Sequence, residues 1–128
     1  RDSPYVVHAV GEMSVLARSA EAMVLRAARI LDRATDAGGG TYAHSDAAYI
    51  EASVAVAEAK AASTDASLRV SEMMYRVAGA SSTLRKYNFD RHWRNARTHT
   101  LHDPVTYKYK AIGNHLLSGK PPPISTKI

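Results

Sequence analysis

SPYVVHAVGEMSVLARSAEAMVLRAARILDRATDAGGG, from Ser3 to Gly40, decides the fold class. In it Val6, Val10, Met13, Ala17, Ala20, Val24, Ala27, Leu31 and Ala34 recur at alternating spacings of 4 and 3. Ala9, Leu16, Met23 and Ile30 widen that stripe to the width of a core-facing helix. Ser3 followed by Pro4 predicts an N-cap and a favourable first helical residue. Arg26, Arg29 and Arg33 fall toward the end, where cations suit the helix dipole. Gly38–Gly40 predicts the stop and the connection, because glycine tolerates the left-handed geometry of a C-cap.

A second long helix is expected from about Ser45 to Ala78. One stripe is Ala47, Ile50, Val54, Ala57, Ala61, Thr64, Leu68, Ser71, Tyr75 and Ala78. Ala48, Ala52, Ala55, Ala59, Ala62 and Ala66 form a second row that admits another helix closely and implies burial on two sides. Glu51, Glu58, Asp65 and Glu72 recur every seven residues along a solvated edge. Two broad apolar faces favour a bundle over a two-stranded coiled coil. Gly79, Ser81 and Ser82 then read either as an ordinary C-cap and turn or as a loop whose N–H groups approach a phosphate. On the residues alone the turn is favoured.

Phe89 to Pro104 holds three histidines, three arginines, two aspartates and the only tryptophan of the chain. It reads as a short helix with Asp90 as cap and a stop or kink at about Asp103, before Pro104. His92, Asn95, His99 and His102 share one face, and Phe89, Trp93 and Ala96 an apolar one. Asp103 and Pro104 are expected to cap and begin a fourth helix with the stripe Val105, Tyr109, Ile112 and Leu116. It closes at Ser118–Lys120, before the extended Pro121–Pro123 tail. The expected fold is all-α: a four-helix bundle of two long and two short helices, with residues 1–128 as one domain.

Composition narrows the function classes. With 128 residues and 45% hydrophobic residues the chain can bury a real core, and no apolar run approaches the ~20 residues that cross a bilayer. No membrane association is expected. The absence of cysteine removes disulfides, thiolate metal sites and a cysteine nucleophile, and fits a cytoplasmic protein. The net charge of +5 is not gathered into a polybasic run, so anionic cofactors or substrates are as plausible as nucleic acid.

Three readings of the histidine helix follow from its residues. His99 and His102 with Asp103 could ligate a metal, but Glu58 and Glu72 lack an i+3 histidine and no HExxH stands by. Arg91, Arg94 and Arg97 with Trp93 could contact phosphate and stack a base, but these arginines straddle different faces. The third reading is a polar helix whose arginines pair with the acidic edge of the second helix. By pattern alone this third reading leads.

The strings Val77–Ser82, Tyr87–Arg91, Trp93–Pro104 and Tyr107–Lys108 resemble the C-terminal helical domain of the acyl-CoA dehydrogenase superfamily. Within it the sequence is most similar to the flavin-dependent monooxygenase branch. The resemblance covers essentially the whole chain and is most specific in WRNARTHTLHDP. It implies the C-terminal part of a larger flavoenzyme, whose preceding helical and β-domains complete the flavin site (FMN or FAD). The isolated chain is then expected to be inactive. Homodimer or homotetramer packing, a small-molecule substrate, a separate flavin reductase and no nucleic acid are also implied. Arg94–Arg97 matches the lead-in to the dehydrogenase base, which places Asp103 where that glutamate stands, followed by Pro104-Val105 in place of glycine-threonine. The resemblance puts His99 and His102 beside the flavin, where imidazoles donate hydrogen bonds and shuttle protons. It puts Gly79, Ser81 and Ser82 near the phosphate-bearing tail across the subunit interface, and Arg94 among the cofactor-binding residues. No metal is expected. A divergent acyl-CoA dehydrogenase domain and a purely structural oligomerisation module are the alternatives.

Overall fold

The computed structural model describes residues 3–37 and 47–123, which form four α-helices and no strand. Helix α1 spans Pro4–Ala37 and α2 Ala47–Ala78. Two 3₁₀ turns, Ala80–Thr83 and Arg85–Tyr87, lead to α3, Asp90–His102, and α4 spans Val105–Ser118. The expected stop at Gly38–Gly40 and the start at Ser45 lie outside the described residues.

Pro4 opens α1 as expected, and the Ser3 carbonyl accepts from the N–H groups of Val6 and Val7. The helix continues to Ala37, so Arg26, Arg29 and Arg33 stand inside it and its last turn holds no base. The dipole expectation therefore fails there. The continuation to Ala37 follows from alanines at 34 and 37, the strongest of helix formers.

Helices α1 and α2 pack as an antiparallel pair around Ala27, Ile30 and Ala34 of α1 and Ala52, Ala55 and Ala59 of α2. Both predicted rows of α2 are buried: Val54, Ala57, Ala61, Thr64 and Ser71 on one, Ala52, Ala55, Ala59 and Ala66 on the other. On α1 the seam is rotated. Ala9 and Ile30 are buried and Leu16 and Met23 half-buried, whereas Val10, Val24 and Leu31 are exposed. Alanines at 27 and 34 let the backbones approach across the α2 alanines, and the bulkier valine row is turned outward. Arg26 meets Glu58 at 2.8 Å and Arg69 pairs with Glu12, which fixes the antiparallel register. Such part-exposed pairs contribute about 0–1 kcal/mol each.

Gly79 ends α2 at φ 73°, ψ −177°, a backbone region open essentially to glycine, and its N–H donates to the Tyr75 carbonyl at 2.9 Å. From there α3 returns antiparallel along α2, and α4 packs against α2 as well. Gly119, at φ 67°, closes α4 with an N–H bond to the His115 carbonyl, as expected of a glycine C-cap. The inward face of α4 differs from the predicted stripe. Lys108 and Ala111 are buried, whereas Tyr109 and Leu116 are exposed.

Candidate functional site

Helix α3 begins with Asp90 already inside it, not as a cap. Phe89 takes the cap position with helical angles, and no side chain caps the end. The Asp90 carboxylate instead meets Arg94 at 2.9 Å one turn later, and Arg94 also donates to Asn88 Oδ1 at 3.4 Å. Asn88 supplies the left-handed residue that ends the second 3₁₀ turn, at φ 50°. Among the described residues none of the α3 arginines pairs with the acidic edge of α2. Glu58 is taken by Arg26 of α1, and Asp65 accepts from Tyr109 of α4 at 2.9 Å.

The two faces predicted for α3 are not separated in space. Ala96 lies toward α2 together with His92, His99 and buried Thr100, whose hydroxyl donates to the Arg97 carbonyl. Trp93 is 40% exposed, with the Arg97 guanidinium 6.0 Å from its ring centre. A helix lying on an alanine-rich partner turns its small residue inward and leaves the indole outside.

Two grooves flank α3. One, of about 460 Å³, is apolar and runs between α1, α2 and α3, with His92 and Ala96 against Ala17, Val70 and Met74. The other, of about 280 Å³, is lined by His99 with Lys60, Ser63, Ser67 and Thr100. Lys60 donates to the His99 carbonyl at 3.3 Å, a favourable place for a cation beside the carbonyl end of a helix.

The corner at His102 is sharp. Asp103 is the C-cap of α3 at φ −133°, ψ 94°, and Pro104 sits extended before α4. The expected roles of Asp103 as N-cap and Pro104 as first helical residue are not taken. A residue before proline is driven out of helical angles, so two extended residues separate the helices. The Asp103 carboxylate faces Lys108, whose Nζ lies 2.9 Å from both of its oxygens. Lys108 is 1% exposed. It stands in the resemblance string but suggested no role there, because a lysine inside a helix normally reads as surface.

The sequence-expected residues thus divide between two ends. His99, His102 and Asp103 gather at the C-terminal end of α3, with both imidazole residues exposed. Gly79, Ser81 and Ser82 precede its N-terminal end, which lies about 18 Å from His102 along a 13-residue helix, and Arg94 stands in its second turn, about 12 Å from His102. Ser82 is buried and its hydroxyl donates to the Gly79 carbonyl, while Ser81 is exposed. Gly79 has open space at its Cα, so a ligand could approach its backbone. Among the described residues no group of three or more His, Cys, Asp or Glu could hold a metal ion. No helix among them is long and apolar enough to cross a membrane.

A sequence profile of the family described as "Acyl-CoA dehydrogenase, C-terminal domain" matches residues 1–107. The chain belongs to this family. A dibenzothiophene monooxygenase of Mycolicibacterium goodii is 39% identical over 121 residues, covering 94% of this chain and 28% of that protein. A probable FMNH2-dependent monooxygenase, SfnC, of Pseudomonas putida is 36% identical over 94% of this chain and 30% of its own length. Among solved structures, the methanesulfinate monooxygenase MsuC of Pseudomonas fluorescens superposes with a TM-score of 0.87 at 36% identity, over 98% of this chain and 32% of that one. FMN-bound TdsC of a Paenibacillus species gives 0.85 at 32% identity, over 99% and 31%. The chain therefore spans less than a third of the length of these relatives. As a member of the acyl-CoA dehydrogenase C-terminal domain family it places the HDP corner at the joint of the two short helices, with the imidazoles on the open side.

Proposed function

We propose that this chain is the C-terminal domain of a reduced-FMN-dependent monooxygenase that acts on a small organosulfur or aromatic substrate. A separate reductase would deliver the reduced flavin. The observation that carries this reading is the exposed His99–His102 end of α3 in a fold that superposes on an FMN-bound structure. Flavin, when bound, supplies the electrons and the activation of oxygen. This chain supplies one wall of the site. His102, at the last position of α3, holds and moves a proton on the open side, and His99 one turn earlier donates a second hydrogen bond. Gly79 and Ser81, in the turn before α3, offer backbone approach, and Arg94, in its second turn and paired with Asp90, a guanidinium. The exposed row Val10, Val24 and Leu31 of α1 with Leu116 and Leu117 of α4 would be covered by the remaining domains or a second copy.

The dehydrogenase alternative needs Asp103 as a free base, and its carboxylate is held by Lys108. That contact favours the monooxygenase reading. In the full-length protein His102→Ala should lower product formation and raise hydrogen peroxide release while leaving assembly intact. His99→Ala should act in the same direction and less strongly. Flavin titration of the isolated chain should give weak binding or none. Unchanged product-to-peroxide ratios in both variants, or tight flavin binding by this chain alone, would refute the proposal.

A further inference from the structure

Among the described residues the least exposed large side chain is a lysine, and it belongs to the corner that carries His102. Lys108 sits one turn into α4, its side chain 2% exposed, and its ammonium is shared by both oxygens of Asp103, whose side chain is 27% exposed. Asp103 follows His102 directly and is the residue at which the chain leaves α3. We infer that Lys108 is a positioning residue: its buried ammonium clamps Asp103 and thereby fixes the imidazole of His102 against the open side of the bundle.

The physical argument runs from cost to purpose. Burying an ion pair is often no more stabilising than filling the same space with apolar side chains. A methionine or leucine at position 108 would pack against α2 beside Ala111 without desolvating a charge. What the pair provides is direction. An ammonium held by two oxygens fixes the Asp103 side chain, and that carboxylate stands one residue from His102, where the backbone leaves helical angles. Pro104 contributes no N–H to the corner, and the Lys108 contact adds a side-chain tie to α4 beside the Tyr107 N–H bond to the Pro104 carbonyl. The same contact occupies the carboxylate that would otherwise face solvent, and leaves Asp103 a strut and not a proton acceptor.

This inference uses the flavin-side reading of His102 for its consequence, but its geometry is testable without flavin. In this chain, at one fixed pH, the ring resonances of His102 are compared in Lys108→Met, Lys108→Arg and the parent. The His102 ring signals should move toward those of a mobile side chain in Lys108→Met and return toward the parent in Lys108→Arg, while His8 on α1 stays in place. A folded Lys108→Met with unchanged His102 signals overturns the inference. Should that variant not fold, Asp103→Asn decides. It keeps the shape and one neutral acceptor, a smaller shift is expected, and none overturns the inference. In the full-length protein, Lys108→Met should lower the product-to-peroxide ratio, and Lys108→Met with His102→Ala should fall no further than His102→Ala alone. Multiplying effects would overturn it. A His102→Ala variant with normal coupling would sink the flavin reading and leave the resonance result standing.

Discussion

The two halves of the bundle are held together by different physics. Where α1 meets α2 the buried residues are alanines and one isoleucine, and the ion pairs lie outside them. Where α3 and α4 meet α2, Lys60 donates to the His99 carbonyl and Tyr109 to Asp65, and between the two short helices Lys108 pairs with Asp103. The buried residues of α3 and α4 are Thr100, Lys108 and Ala111. Apolar burial is non-directional and tolerates sliding, whereas an ion pair with two equal contacts fixes one geometry. The long hairpin is therefore the source of stability, and the short arm the source of placement.

The sharpest way to break that contrast is Ile30→Ala. Ile30 is 5% exposed at the centre of the seam, and its truncation should cost about 3 kcal/mol by transfer and cavity terms together. Urea denaturation followed by circular dichroism would measure it, and a loss below that of any α4 variant would reverse the assignment of stability to the hairpin. Lys108→Met should come next, at about 2 kcal/mol, because it leaves a carboxylate unpaired that can still reach water. Lys108→Met combined with Asp103→Leu should recover most of that loss in the same denaturation, and failure to recover would show that the pair itself stabilises.

Gly79→Ala tests the connection between the halves. Nothing lies within 4 Å of the added methyl, so the cost is backbone strain alone, about 1–2 kcal/mol. A neutral result in thermal unfolding would mean that the turn relaxes freely. Tyr109→Phe should have the smallest effect, about 0.5 kcal/mol for one exposed hydrogen bond. The hydrogen bond to Asp65, with some desolvation and the Asp65 charge, raises the Tyr109 hydroxyl above the ordinary tyrosine value of 10.0. Its contribution is therefore fully present below pH 10.0 and fades as pH rises through the raised folded-state value. Alkaline unfolding of parent and Tyr109→Phe should differ below that limb and converge above it.

Much of this was legible in the residues. The unbroken 4/3 spacing from Val6 to Ala34 and the alanine row from Ala48 to Ala66 dictate two long helices, because only a helix brings residues at that period to one side. Gly79 and Gly119 mark the ends at which a positive φ is needed. The WRNARTHTLHDP string gave the family and placed His99, His102 and Asp103 at one corner. Less legible was the start of α3, where Asp90 reads as a cap but lies inside the helix and pairs with Arg94 a turn ahead.

The sequence by itself determined the helices, the glycine stops of α2 and α4, and the chemistry available on each helix. Periodicity is a local property, set by backbone hydrogen bonds between residues four apart. Only the tertiary structure decided which side of each helix faces inward. On α1 the apolar stripe is wider than the contact, and the close approach to the α2 alanines selected the row through Ala9 and Ile30 over that through Val10 and Val24. On α4 the stripe Val105, Tyr109, Ile112 and Leu116 reads as the core, yet Tyr109 and Leu116 are exposed and Lys108 is drawn inside by the Asp103 carboxylate. A buried charge depends on a partner that folding brings to it, and no hydrophobic period announces where that partner will stand.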